Sequence, residues 1–94
     1  MTKNELIQKV QNLLKDCSAK DVAFAVNIVF AAMTKALERG ERIDMRGFGN
    51  FAIRRRRARI ARNPQNGASV QLEERRVPFF KVSRELQKRM NSPE

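Results

Sequence analysis

Histidine, tryptophan and tyrosine are absent from this chain of 94 residues, and cysteine occurs once. Without imidazole there is no histidine base and no nucleophile activated by one. Cys17 has no second cysteine and no histidine to join it as a ligand, so nothing is expected to hold zinc. A single cysteine also rules out an internal disulfide, which fits a reducing compartment. Cys17 is read as a small, partly buried apolar side chain near a helix end. The acids are scattered and no pair stands out. No catalytic residue, metal site, cofactor or small-molecule substrate is therefore expected, and the chain is not read as an enzyme. No apolar run approaches a membrane span, and the start MTKNELIQKV lacks the apolar block of a signal peptide. A soluble, intracellular protein is expected.

What the chain has in excess is positive charge. Twenty Lys and Arg face ten Asp and Glu, a formal net charge of +10. Such a surface calls for a densely negative partner, nucleic acid first and an anionic membrane second. Solubilising charge is the plainer alternative. Apolar residues make up 41%, enough for a core. The length suits one small domain, residues 1–94, with marginal stability of its own.

Two helices are predicted first. Thr2 and Glu5 form a capping box, followed by Leu6, Ile7, Val10, Leu13 and Leu14 at helical spacing, to about Lys15. Ser18 opens the second helix, to about Arg39, and Gly40 is placed to end it. Val22, Val26, Val29, Met33 and Leu37 form one stripe of that helix, with Phe24, Ile28, Ala31 and Ala32 to its side. A chain this small has no second layer for both faces, so a second subunit is expected to cover one.

From Glu41 the period changes to that of strands, with a tight turn or bulge at Gly47 and Gly49. Arg54 to Arg62 then holds six arginines in nine residues, on both faces of an extended strand. Neither face can pack on a core, so this strand is expected to leave the body. Gln65-Asn66-Gly67 is turn chemistry, and Ser69 to Arg76 reads as the returning strand. The result is a β-hairpin arm of roughly two dozen residues with its tip near Asn66. Val77-Pro78-Phe79-Phe80 rejoins the core, Ser83 caps a last helix to about Met90, and the tail from Asn91 to Glu94 is expected to fray. The arm leaves a body of about 70 residues, small for an independent core.

An arm dense in guanidinium groups is at ease when phosphates neutralise it, and binding should then weaken steeply with salt. Arginine also suits a narrow minor groove. Pro64 cannot serve a continuing ladder. It either shapes the turn or acts as an apolar wedge between base pairs. Arg62 and Asn63 beside it carry donors for bases or backbone.

Gly47-Phe48-Gly49-Asn50-Phe51 followed by Arg62-Asn63-Pro64-Gln65-Asn66-Gly67 resembles the signature of the HU/integration host factor family of bacterial histone-like nucleoid proteins. The resemblance spans essentially the whole chain and continues through Pro78 to Lys81. It implies an α+β fold, an intertwined dimer with a helical base (about 2–39), a small antiparallel sheet and a long protruding β-hairpin arm per chain (sheet and arm about 42–81), and a C-terminal helix (about 83–90). It implies double-stranded DNA as partner, bound through the minor groove by two arms and bent by intercalation of Pro64. Arm contacts are then assigned to Arg54, Arg55, Arg56, Arg57, Arg59, Arg62, Asn63, Arg75 and Arg76. Body contacts to phosphate fall to Lys3, Lys20, Lys81 and Arg84, with helix starts near Thr2, Ser18 and Ser83 adding backbone donors.

Within the family, Glu41 to Gly49 is more like the integration host factor beta subunit than HU. That likeness implies that Arg46, oriented by Asp44, takes part in sequence preference; without it, the two read as an ordinary surface ion pair. The chain departs from the family pattern at Ile60-Ala61, where Thr-Gly is usual, at Val82-Ser83, and in its unbroken Arg54 to Arg57. Extra arginines raise affinity for every sequence alike. A homodimer or a heterodimer with a related subunit remains open, and the bacterial nucleoid is the implied location. An arginine-rich RNA-binding or ribosome-associated protein is the alternative, but the arm has no aromatic residue on which a base could stack. A membrane-surface role would need a basic amphipathic helix, whereas the charge is densest on the hairpin.

Overall fold

The computed structural model describes residues 1–92. The chain divides into two compact units, residues 1–35 and 36–94.

The first unit is helical. Helix α1 spans Lys3–Leu13, and the Thr2 hydroxyl accepts from the Glu5 amide at 3.2 Å. It stops two residues before the expected Lys15: Leu14 has left helical geometry, and its amide closes the last turn on the Val10 carbonyl. Helix α2 spans Ala19–Glu38, with the Ser18 hydroxyl accepting from the Asp21 amide at 3.0 Å. The Gln11 side chain donates to the Ala19 carbonyl and ties the end of α1 to the start of α2. Among the described residues two apolar side chains are buried, Ile7 and Val22, one on each helix. On α2, Phe24, Ile28 and Val29 are each more than half exposed. That second face of α2 is not packed within the helical unit, in line with its sequence pattern. Cys17 is exposed, not partly buried as its sequence suggested. It sits in the connecting turn, donating to the Leu14 carbonyl, beyond the packed part of α1.

In the second unit, α2 ends in a Schellman motif. Gly40 has φ +78°, its amide donates to Leu37, and the Glu41 amide reaches back to Ala36. Strand β1 (Ile43–Met45) turns at Arg46-Gly47-Phe48 into β2 (Gly49–Arg56). Strand β5 (Arg75–Val82) lies on the other side of β2, giving an antiparallel sheet of order β1-β2-β5. Phe80 packs against Phe51 and Phe48, at ring-centroid distances of 4.8 and 5.7 Å. Gly49 is buried beneath this cluster: a Cβ there would lie 2.6 Å from both the Lys81 carbonyl oxygen and the Phe80 ring. Helix α3 (Arg84–Asn91) is capped by Ser83, whose hydroxyl accepts from the Leu86 amide. Asn91 therefore ends a helix; residues 93 and 94 of the expected frayed tail lie outside the described residues.

The arm forms as a hairpin, in two ladders where the arginine pattern suggested one. Strands β3 (Arg59–Arg62) and β4 (Ser69–Leu72) pair in a sheet of their own. Between this ladder and that of β2 with β5 lie Arg57-Ala58 on one strand and Glu73-Glu74 on the other. No apolar pair is available there to hold the strands together. Because each strand contributes two unpaired residues, the register resumes unchanged: Arg56 faces Arg75 before the gap and Arg59 faces Leu72 after it.

Candidate nucleic-acid interface

The tip of the hairpin is the most constrained part of the arm. The Asn63 amide donates to the Ala68 carbonyl and closes a four-residue loop, Pro64 to Gly67. The Asn63 side-chain oxygen accepts from the Gln65 amide at 2.9 Å, bridging over Pro64. The Asn66 side chain does the same for the Ala68 amide. Only Gly67 takes positive φ in this loop, +70°. These local side-chain bonds replace a ladder that proline cannot join. They leave Pro64 exposed at the end of the hairpin, beside an exposed Arg62.

The arginines behind the tip are not equivalent. Arg56, Arg57, Arg59 and Arg75 line one open concavity with Val77 and Pro78. Arg55 shares its charge with Glu74 at 3.3 Å, where both side chains are more than half exposed. Arg76 donates to the Glu38 carbonyl and so supports the last turn of α2, where a cation is favoured. Arg54 lies over the ring of Phe79, 3.6 Å from its centroid.

The strand pairing sorts the sheet into two faces, because directly paired residues share a face. Phe51 with Phe80 and Ile53 with Pro78 form the apolar face. Asn50 with Lys81, Ala52 with Phe79 and Arg54 with Val77 form the other. Over this second face runs an open groove of about 550 Å³, which Arg42, Ser83, Arg84 and Gln87 complete. Lys81 and Arg84, singled out in the sequence, are thus brought together, with Arg54 beside them. Arg42 and Asn50 were missed; the alternation of β2 against Lys81 was the signal that could have found Asn50. Lys3 and Lys20 are exposed in the first turns of α1 and α2. The Thr2, Ser18 and Ser83 hydroxyls each occupy one backbone donor of their helix start.

Asp44 and Arg46 lie around another concavity with Gly47, Asn50 and Ser83. The Asp44 carboxylate accepts from Arg42, Nε to Oδ1 2.9 Å, rather than from Arg46. Both partners are about two-thirds exposed, at 62% and 68%, so the pair holds little energy. Among the described residues Arg46 has no acidic partner, and its guanidinium is free.

Known proteins match this arrangement. A family of sequences described as bacterial DNA-binding protein matches residues 1–91. Integration host factor subunit beta of Pseudomonas aeruginosa strain PAO1 is 45% identical over 94 residues, covering all of both chains. The beta subunit of Colwellia psychrerythraea is 44% identical over 91 residues, 97% of this chain and 96% of that one. An HU–DNA cocrystal structure from Anabaena superposes with a TM-score of 0.85 at 26% identity, over 99% of this chain and 100% of the other. A variant HU from Thermotoga maritima gives a TM-score of 0.68 at 27% identity, over 97% and 100% of the two chains. With an α+β fold, a basic hairpin and full-length similarity of this kind, the chain belongs to the HU/integration host factor family of bacterial DNA-binding architectural proteins.

Proposed function

We propose that the chain, a single domain, is one subunit of a two-armed dimer that holds duplex DNA through the minor groove and bends it. The observation that carries this reading is Pro64, exposed at the tip of an arginine hairpin and braced by the Asn63 side chain. An apolar wedge held rigidly on a cationic support is what partial unstacking of a base step requires, as the HU/IHF class uses it. Arg56, Arg57, Arg59, Arg62 and Arg75 neutralise phosphates along the arm, and Lys81, Arg84, Lys3 and Lys20 serve the body. Arg46, which does not pair with Asp44, is the side chain we assign to biasing base choice. No helix among the described residues is long and apolar enough to cross a membrane, and the bacterial nucleoid is the location this reading implies.

The dimer has its own support. Phe24, Ile28 and Val29 on α2 are each more than half exposed, an apolar face of the kind a second subunit covers. An obligate dimer interface commonly removes 2,000 Å² or more from water in total.

The experiment is end-to-end energy transfer on a labelled duplex, with the free protein sized by sedimentation. The wild-type chain should sediment as two chains and shorten the end-to-end distance. Pro64→Ala should keep much of the phosphate-driven affinity and lose most of the bend. An unchanged bend in Pro64→Ala would remove the wedge, and a free monomer at micromolar concentration would remove the dimer.

A further inference from the structure

Arg54 opens the arginine run, yet it does not behave as an arm residue. Ala52 is directly paired with Phe79, so Arg54, two residues on, is a diagonal neighbour of Phe79 on the same face. Its guanidinium carbon lies 3.6 Å from the centre of the Phe79 ring. At that distance the planar cation covers the negative face of the ring. Its N–H groups lie in the plane of the guanidinium, a geometry suited to two oxygens of one anion. Phe79 keeps 37% of its surface exposed, so the stack sits at the wall of the sheet groove and not within a core. Asn50, Lys81, Ser83, Arg84 and Gln87 line the same groove, and among the described residues no acidic side chain does. Arg42, also on this groove, lies 2.9 Å from Asp44 in an exposed ion pair.

We infer that Phe79 is a positioning residue: it takes Arg54 out of the arm and fixes it as a ready-made fork for a DNA phosphate on the sheet face, beside Lys81 and Arg84. An arginine resting on a ring has already lost much of the rotamer freedom that phosphate binding would remove. A leucine would cover similar apolar area without holding the cation. The inference rests on the chain binding duplex DNA, as proposed above.

A double-mutant cycle on duplex affinity, measured from low to moderate salt, tests it. Phe79→Leu should weaken binding by roughly threefold to tenfold per subunit and reduce the slope of log K against log salt by up to about 0.9 per subunit. Arg54→Gln should do the same. In the Arg54→Gln background, Phe79→Leu should have no further effect. Phe79→Tyr, which keeps the ring, should restore wild-type affinity and slope, a rescue that a purely structural role in the sheet would not need. Arg54→Lys, which keeps the charge but lacks the plane, should lose about as much affinity as Phe79→Leu. This variant carries the test if Phe79→Leu does not fold. Additive losses in the cycle, or wild-type binding by Arg54→Lys, would overturn the inference while leaving the bending activity standing. Absence of duplex binding by the wild-type chain would instead remove the parent reading.

Discussion

Arg56 and Arg57 offer the cleanest measure of what the arm does. Both are exposed. Among the described residues the ion pairs are Arg42–Asp44 and Arg55–Glu74, so neither Arg56 nor Arg57 has a protein carboxylate to leave. If each meets one phosphate, replacing both with glutamine removes two contacts per arm. Each contact is worth about 0.9 in the slope of log K against log salt, so the slope should fall by about 1.8 per arm. Over a rise from about 50 to 200 mM salt this is about a tenfold smaller loss of affinity for one arm, and about 150-fold for two. Arg55→Gln should change the slope less than either of these, because Arg55 already shares its charge with Glu74 at 3.3 Å. The assay is a fluorescence-anisotropy titration at four or five salt concentrations, with circular dichroism to verify the fold. A double variant with the wild-type slope would show that these arginines do not meet phosphate, and the electrostatic reading of the arm would fail.

Two other outcomes are expected. Gly49→Ala places a Cβ 2.6 Å from a backbone carbonyl that cannot rotate away. It should cost about 1–3 kcal/mol, seen as a clearly lower melting temperature, and an unchanged one would refute the close contact. Selection of bound duplexes from a random library should enrich a motif that Arg46→Ala loses; enrichment surviving in the variant would place base choice elsewhere.

Much of this was legible because the signals were local. Thr2, Ser18 and Ser83 each accept from the amide three residues on, which is a rule of short range. Gly40 ends α2 for an equally local reason. The arm was legible because arginines on both faces of a strand exclude packing. What could not be read required knowing who stands across a strand. Arg76 looked like one more arm cation, yet it reaches the Glu38 carbonyl, 38 residues away. Arg54 looked like the first residue of the run, until the pairing of Ala52 with Phe79 set a ring beneath it. Asp44 chose Arg42 over Arg46, both two residues away, and spacing alone does not distinguish them. Cys17 was misjudged because α1 closed two residues early.

The unbroken register of the hairpin limits how such an arm can change in length. An insertion in one strand alone would slide every pair beyond it and misplace the tip. One residue added to each strand would lengthen the arm by about 3.4 Å but turn the tip over, since side chains alternate with a period of two. Pro64 would then face the opposite side. Two residues per strand, about 6.8 Å, restore its direction. The gap at Arg57-Ala58 and Glu73-Glu74 is a pair of that size on each strand. An engineer who wants a longer or shorter reach with the wedge still aimed correctly should therefore work in two-residue steps, and this interruption is the place where a step disturbs no existing strand pair.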